Sequence, residues 1–227
     1  MRRNLLMQFS MMIRFNQVSK RYPGGFEALS QVDFSLEKGE MAFITGHSGA
    51  GKSTLLKLIA MLERPSSGRI IVNGVRLDQL KKKDVYRHRL NLGITFQSPH
   101  LLNDRTVFDN VALPLQIQGV VPQLITKRVS AALDMVGLLN KEKMLPIHLS
   151  CGEQQRVGIA RSVVHRPALL LADEPTGNLD PALSTEVIRL FAQLNEVGVA
   201  VLVATHDLAL IAGMRHRIVM LKGGRIC

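Results

Sequence analysis

A glycine-rich loop followed by lysine and serine carries the most specific chemistry in the sequence. Residues Gly46-His47-Ser48-Gly49-Ala50-Gly51-Lys52-Ser53, the phosphate loop, fit the pattern GxxxxGK[ST]. The apolar run Met41–Thr45 before the loop predicts a strand, and helical spacing from Lys52 to Leu62 predicts a helix after it. In that setting the backbone N–H groups and the helix N-terminus bind a β-phosphate. Lys52 then bridges β- and γ-phosphate oxygens, and Ser53 offers its hydroxyl to Mg²⁺. The alternative, a flexible glycine turn with an incidental lysine, is disfavoured by the strand-loop-helix setting.

Two adjacent carboxylates follow another apolar run. Asp173 and Glu174 come directly after Leu169–Ala172, at a predicted carboxyl end of a buried strand, where open α/β sheets bind ligands. Asp173 is expected to hold Mg²⁺ through water, and Glu174 to act as general base on the attacking water. His206 ends a further apolar run and is expected at the same edge, as a γ-phosphate contact. Taken alone, the two carboxylates fit a solvated strand end as well as they fit a catalytic site, and a single histidine such as His206 is usually structural. The phosphate loop upstream favours the catalytic interpretation of all three residues.

Short apolar runs separated by helical patterns predict the fold that positions these groups. Alternation in Met12–Val18 and Leu29–Leu36 predicts half-buried antiparallel strands. Continuous apolar strands separated by helices indicate a parallel sheet covered on both faces. Such strands are predicted at 41–45, 92–96, 169–172, 199–204 and 218–221, and helices at 107–118, 124–136 and 183–194. No internal repeat is present, which indicates one copy of the unit.

Composition narrows the class of protein and of its partners. The chain has 227 residues, 46% hydrophobic, with 29 Lys and Arg against 18 Asp and Glu, a net charge of +11. This balance favours phosphate-rich or anionic-membrane neighbours. The scarcity of aromatic residues argues against a base-stacking platform. No nucleic acid is expected as a partner, because the chain also has no second copy of the unit, no long coiled coil and no zinc-binding cysteines. Two cysteines and scattered histidines show no metal-ligand spacing, so Mg²⁺ brought with the nucleotide is the metal expected.

No segment of the sequence satisfies the requirements of a membrane span. The most apolar long stretch, 197–214, is interrupted by Thr205, His206 and Asp207. We therefore expect contact with a membrane to be peripheral. Residues 1–11 resemble a signal peptide only faintly and are assigned to an N-terminal extension before a domain at 12–227.

A further segment and the order of all motifs resemble the ATP-binding cassette (ABC) ATPases. Leu149 to Arg156, the signature segment, reads LSCGEQQR and is similar to the LSGGQ signature of that family. The resemblance runs from about Ile13 to Gly224. It implies an α/β fold with a mostly parallel core sheet covered by helices, an N-terminal antiparallel β subdomain and a helical subdomain inserted at about 98–160. It also assigns roles to Tyr22 (adenine stacking), Gly46 to Thr54 (phosphates), Gln97 (sensing Mg²⁺ and water), Ser150, Gly152 and Glu153 (signature), Asp173 (Mg²⁺), Glu174 (catalysis), Asn178-Leu179-Asp180 (dimer contact) and His206 (switch histidine).

The resemblance implies a mechanism that needs two chains. Two cassettes pack head to tail with ATP between them, and Ser150 and Gly152 of one subunit close over the γ-phosphate held by Lys52 of the other. A groove beside Gln97 is expected to accept a helix from a membrane subunit. Asp180-Pro181 also suits a helix start, with the aspartate as N-cap.

Within the superfamily, three segments resemble the FtsE family of cell-division ATP-binding proteins. They are 39–52, 104–115 and 156–161, together with the run EPTGNLD at 174–180. That resemblance implies an FtsX-like integral membrane partner on the cytoplasmic side of the inner membrane at the division site, and control of cell-wall hydrolases. The alternative is the ATPase subunit of a lipoprotein-releasing or macrolide-type export complex. A soluble nucleic-acid-associated cassette and a regulatory module without turnover are further alternatives, both disfavoured.

One departure from the family pattern and one cluster of basic residues raise further expectations. Cys151 replaces the first glycine of the signature, and its Cβ is expected to strain a backbone with positive φ or to crowd the opposite nucleotide. The basic run 81–89, with Lys81, Lys82 and Lys83, is interpreted as a solvated helix face or as a contact with anionic lipid.

Overall fold

The computed structural model describes residues 11–177 and 179–227. Most of the predicted extension, residues 1–10, and Asn178 of the predicted dimer contact lie outside the described residues. The strands are β1 (Met11–Arg21), β2 (Glu27–Glu37), β3 (Met41–Thr45), β4 (Ser67–Val72), β5 (Val75–Arg76), β6 (Leu92–Thr95), β7 (Leu169–Asp173), β8 (Ala200–Ala204), β9 (Arg217–Lys222) and β10 (Arg225–Ile226). The α-helices are α1 (Lys52–Ile59), α2 (Val85–Arg89), α3 (Val107–Ile117), α4 (Pro122–Met135), α5 (Cys151–Val163), α6 (Pro181–Glu196) and α7 (Leu208–Ile211). Single 3-10 turns lie at 77–79, 82–84, 139–141 and 146–148.

The larger sheet brings the carboxyl ends of three buried strands together. Its order is β10-β9-β3-β8-β7-β6, and all neighbours are parallel except β10 and β9. Every residue of β3 and β8 is buried, which is why these strands read as continuous apolar runs. Ala204 of β8 pairs with Ile44 on one side and Asp173 on the other. The predicted parallel sheet is confirmed.

A second, antiparallel sheet has the order β2-β1-β4-β5. It packs its inner face on the helix that follows the phosphate loop, through one core cluster that includes Phe15, Phe34, Leu55 and Ile59. The rings of Phe15 and Phe34 meet edge to face at a centroid distance of 6.1 Å. Tyr22 directly follows the last residue of β1, Arg21, and its side chain lies beside α1. β1 begins at Met11, one residue before the predicted domain boundary.

A helical layer lies between β6 and β7 in the sequence and has a hydrophobic core of its own. α3, α4 and α5 contribute apolar residues to it, among them Val111, Leu115, Val129, Leu133 and Val157. Thr106 and Asp109 cap the N-terminus of α3 with a reciprocal capping box. The inserted helical part of the predicted fold is therefore present.

The helix after the phosphate loop is shorter than predicted. The spacing of apolar residues predicts a helix to Leu62, but α1 ends at Ile59. Its last carbonyl groups are satisfied from α2: His88 Nε2 lies 2.7 Å from the oxygen of Ile59, and Arg89 donates to Ala60 and Met61. The interpretation of the whole basic run as a solvated face is therefore wrong for His88, which is buried, while Lys81, Lys82, Lys83 and Arg89 are exposed.

Candidate active site

The phosphate loop joins β3 to α1 along a path that requires glycine at two points. Gly46 and Gly51 have φ values of +151° and +108°. A Cβ at either position would collide with a backbone carbonyl, that of Leu221 or that of Ala28. These glycines therefore fix the backbone of the loop against its neighbours. Of the other loop residues, Ala50 is buried and His47, Ser48 and Gly49 are exposed.

The N-terminus of α1 has no side-chain partner for its free N–H groups. Gly51 occupies the N-cap, no side chain caps the helix, and the first turn holds no acidic residue. By contrast, side chains cap α3, α5 and α6. Uncapped N–H groups and the positive end of the helix dipole suit an anion.

Lys52 places a buried ammonium group over the phosphate loop. Only 6% of the residue is exposed. Its Nζ donates to the carbonyl oxygen of Gly46 at 2.8 Å and lies 3.3 Å from Oε1 of Glu174. A buried ammonium is stable only when paired, and this pair is made by the general base predicted from the sequence.

Ser53 and Asp173 form a second link between loop and strand. The Ser53 hydroxyl donates to Asp173 Oδ1 at 3.0 Å. Burial raises the pKa of the Asp173 carboxyl, against the lowering effect of that hydrogen bond, and the neighbouring Glu174 raises it further. A cation between the two oxygens would relieve the cost of that buried charge. Within residues 11–177 and 179–227, no group of three or more His, Cys, Asp and Glu side chains could hold a metal.

Glu174 occupies an unusual backbone conformation at the end of β7. Its φ is +46°, a region that L-residues enter at a cost and that is often found at functional sites. Its N–H donates to the carbonyl of Ala204 at 2.9 Å, and Gly177 N–H donates to its carbonyl at 3.2 Å. The side chain thereby turns back to the carboxyl edge of the sheet, where only 15% of it is exposed.

His206 meets the same carboxylate from the adjacent strand. Its Nδ1 lies 2.9 Å from Glu174 Oε2, and the side chain is 66% exposed. Thr205, the residue before it, donates its N–H to Ile44, which fixes the end of β8 against β3. The structure therefore brings Lys52, Glu174 and His206 into one chain of contacts.

Tyr22 and Gln97 contact elements next to this cluster. The Tyr22 hydroxyl is 3.5 Å from Oγ1 of Thr54, on the first turn of α1. Gln97 follows β6, and its Nε2 would lie 3.4 Å from a Cβ at Gly177, in the turn after Glu174. Both side chains are therefore adjacent to elements of the phosphate site, and their predicted roles stay predictions.

The signature residues do not join this cluster. Ser150 caps the N-terminus of α5, and its side chain accepts a hydrogen bond from Glu153 N–H at 3.2 Å. The Glu153 carboxylate in turn accepts a hydrogen bond from Ser150 N–H. Lys141 Nζ lies 2.6 Å from Glu153 Oε1, and this hydrogen bond lowers the pKa of the glutamate. Glu153 thus has a structural function that the sequence interpretation missed. Asp180 caps α6 by accepting from Leu183 N–H, as predicted.

The expectation that Cys151 strains the backbone is wrong. Cys151 is the first residue of α5, and it is absent from the residues with positive φ among those described. Its side chain is exposed. Helical φ suits any L-residue, so the substitution for glycine costs no strain here. A Cβ at the next position, Gly152, would lie 3.3 Å from the side chain of Leu179.

One face of α5 contacts the segment around Gln97, a relationship that sequence reasoning missed. Gln155 donates to the Phe96 carbonyl at 3.1 Å, and Arg161 donates to the carbonyls of Pro99 and His100. Between them, Gly158 lets Pro99 approach, because a Cβ there would lie 2.8 Å from it. The spacing of three residues from 155 to 158 to 161 is the only signal that could have indicated a common face.

Comparisons with known proteins agree with this arrangement. The family model described as ABC transporter matches residues 29–177. The cell division ATP-binding protein FtsE of Escherichia coli K12 is 59% identical over 215 residues, 95% of this chain and 97% of that protein. FtsE of Haemophilus influenzae is 51% identical over 201 residues, 88% of this chain and 92% of that protein.

A solved structure shares the fold over almost the whole chain. The ATP-binding cassette MJ0796, in a dimeric post-hydrolysis state bound to ADP and Pi, has a TM-score of 0.89 and 33% identity, covering 95% of this chain and 96% of its own. The fold, the sequence comparisons and the geometry of the site all indicate the same family. The chain belongs to the ABC ATPases, in the FtsE family of cell-division ATP-binding proteins, and is an enzyme that binds and hydrolyses ATP.

Proposed function

We propose that this chain is the ATP-hydrolysing subunit of an inner-membrane complex with an FtsX-like partner. In cell division it couples ATP-driven closure of a homodimer to control of cell-wall hydrolysis. The observation that carries the proposal is the convergence of Lys52, Glu174 and His206 at one sheet edge. The identity of 59% to FtsE of E. coli over nearly the full chain supports the assignment to division.

Each side chain of the site has a separate role in the proposed hydrolysis of ATP. The N–H groups of the phosphate loop and of α1 hold the phosphates, and Lys52 neutralises β- and γ-phosphate oxygens. Glu174 accepts the proton of the attacking water, and His206, next to it at 2.9 Å, contacts the γ-phosphate. Tyr22 stacks on the adenine at the end of β1, and Gln97 orients the water from the other side.

Magnesium fits the oxygen donors at the end of β7. Ser53 and Asp173 present a hydroxyl and a carboxylate whose oxygens are 3.0 Å apart, which is the donor chemistry that Mg²⁺ prefers. Few protein ligands suffice, since nucleotide phosphates and water complete the shell. When bound, Mg²⁺ neutralises charge on the phosphates.

A homodimer supplies the groups that one chain lacks at its own site. Ser150 and Glu153 bond to each other, Glu153 also bonds to Lys141, and none of these bonds reaches the phosphate loop. The exposed N-terminus of α5 is free to meet the nucleotide of a second chain. A cassette with 33% identity forms a dimer, which supports this arrangement.

The membrane partner is expected at the segment that follows Gln97. Residues 98–118 lead from β6 into the helical layer and include α3, and Arg161 of α5 holds their first part by donating to the carbonyls of Pro99 and His100. In the part of the chain that the structure describes, no helix has the length and apolar character that crossing a bilayer requires. We place the chain peripherally on the cytoplasmic side of the inner membrane at the division site, through its partner.

Capture of membrane partners by a hydrolysis-deficient variant tests the proposal. Glu174→Gln, trapped with ATP, is used to recover proteins from detergent-solubilised membranes of its own source. Lys52→Ala, which is expected to bind ATP weakly because it lacks the ammonium group for the phosphates, is the matched control. Recovery of an FtsX-like protein by Glu174→Gln alone is expected. A lipoprotein-releasing or export permease in its place overturns the division assignment, and ribosomes or nucleic acid without a membrane protein overturn the membrane assignment.

A further inference from the structure

Lys20 is a buried lysine whose ammonium group lies beside the ring of Tyr22. It is the penultimate residue of β1, and only 9% of it is exposed. Its Nζ is 4.8 Å from the centroid of the Tyr22 ring. A cation within about 6 Å of a ring centroid is attracted by the negative face of the ring. Lys20 therefore interacts directly with the residue proposed to stack on adenine.

Two further contacts fix the position of this ammonium group. Nζ donates to Oε2 of Glu63 at 2.8 Å and to the carbonyl oxygen of Arg64 at 2.9 Å. Both residues belong to the segment that follows α1, the helix that begins at the phosphate loop. An ammonium group has three N–H donors, so one remains on the side of the ring. Lys20 thus links Tyr22 to the segment after the phosphate-binding helix through a hydrogen-bonded and ordered ammonium group.

The cation also changes how the ring can stack. The faces of aromatic rings are negative, so two stacked π systems repel each other electrostatically unless they are offset. A cation at one face of Tyr22 draws π density towards itself and leaves the opposite face less negative. That face is then a better surface for an electron-rich purine. At its hydroxyl the ring is bounded by Thr54, at 3.5 Å, so its orientation is restricted on two sides.

We propose that Lys20 is a positioning residue for the adenine base. It holds the Tyr22 ring in place from behind and polarises it, so that the opposite face binds the purine. The inference rests on the proposed function, in which Tyr22 stacks on adenine. Lys20 does not touch the nucleotide, so its removal weakens recognition of the base and leaves the phosphate site and the chemistry unchanged.

Binding of ligands with and without the base separates these effects. Lys20→Met is expected to weaken ADP binding by about three- to tenfold in calorimetry, and to leave pyrophosphate binding within about twofold. The KM for ATP rises by the same factor as the dissociation constant for ADP, while kcat is retained. Lys20→Arg keeps a cation near the ring and restores ADP affinity. Lys20→Gln keeps hydrogen-bond donors for Glu63 and Arg64 but no charge, and it reproduces the loss seen in Lys20→Met.

Two controls identify which assumption fails if the result differs. Lys38→Met removes the same charge from an exposed turn between β2 and β3 and leaves ADP affinity unchanged. Tyr22→Leu weakens ADP binding if the ring stacks on adenine. Loss in Tyr22→Leu with none in Lys20→Gln overturns the role of Lys20 alone, and so does equal loss of ADP and pyrophosphate binding. No loss in Tyr22→Leu overturns the assignment of the adenine site, and the inference with it.

Discussion

The carboxylate of Glu174 lies 3.3 Å from the ammonium group of Lys52, across the end of the central strands. Both groups are nearly buried, so their Coulomb attraction is screened less than that of an exposed pair. Lys52 is also the residue proposed to bind the β- and γ-phosphates. A nucleotide must therefore compete with Glu174 for the same ammonium group when it enters the site.

Glu174→Gln is expected to separate binding from hydrolysis. The neutral amide does not compete for Lys52 and does not repel phosphate, so ATP binds several-fold more tightly. Without a general base, kcat falls by at least about 100-fold. Steady-state ATPase assays and equilibrium binding of ATP measure the two effects. Glu196→Gln, an exposed change at the end of α6, is the matched control. Equal turnover in Glu174→Gln and wild type would rule out Glu174 as the base.

Asp173→Asn is expected to raise the Mg²⁺ requirement of the ATPase. The Asp173 carboxylate is 3.0 Å from the Ser53 hydroxyl, and burial already raises its pKa, so its charge is costly without a cation nearby. Loss of that charge weakens the hold on Mg²⁺, and outer-sphere partners of metals are worth about 10–100-fold in affinity. Titration of Mg²⁺ at saturating ATP measures the midpoint, and ATP binding without Mg²⁺ is the control. An unchanged midpoint would remove Asp173 from the metal site.

Local sequence patterns predicted most elements because strands buried on both faces must be apolar throughout. β3, β7 and β8 were identified on that basis, and the turn after each brought a functional side chain to the same edge. The strand order, with β3 between β9 and β8, is set by contacts between distant segments and leaves no mark on local periodicity. The early end of α1 is set in the same way, because its caps, His88 and Arg89, come from another helix.

The contacts within the candidate site also could not be predicted from local sequence patterns. The motifs named Lys52, Glu174 and His206 but not the contacts between their side chains, which depend on the turn at φ +46° after β7. Lys20 lies in an ordinary alternating strand, and its partners Glu63 and Arg64 come more than 40 residues later. No spacing rule joins residues across that distance.

Asn110→Ala is expected to destabilise the segment that leads into the helical layer. Asn110 is fully buried; its Oδ1 accepts from Leu102 N–H at 2.8 Å, and its Nδ2 donates to the carbonyls of Leu102 and Thr106. Removing the amide leaves these groups without partners, at a cost of about 1–3 kcal/mol. Thermal or urea denaturation measures the loss. Asn140→Ala, at an exposed position, is the control, and equal stability of both variants would contradict the argument.

Cys151→Gly is expected to preserve or raise ATPase activity while slightly destabilising α5. Because Cys151 has a helical backbone, glycine relieves no strain there and costs about 0.3 kcal/mol in helix propensity. The exposed thiol side chain lies beside Ser150, at the surface proposed to meet the second nucleotide, so its removal gives that nucleotide more room. Activity at saturating ATP and the melting temperature report the two effects. A large loss of turnover in a folded variant would show that the cysteine is required.

The stability of the protein is expected to fall as the pH is lowered below about 6.5. Burial lowers the pKa of His88 and of His165, so between the lowered value and the ordinary value of 6.5 the unfolded chain binds more protons than the folded one. The free energy of unfolding therefore decreases with falling pH in that window and is independent of these groups above about pH 7.5. His88→Gln keeps a donor for the carbonyl of Ile59, which His88 Nε2 contacts at 2.7 Å, and flattens part of the slope. The melting temperature measured from pH 5 to 8 checks this, with the exposed His148→Gln as control. If the melting temperature of both His88→Gln and His148→Gln changed with pH as steeply as that of the wild type, His88 would not be a source of the pH dependence.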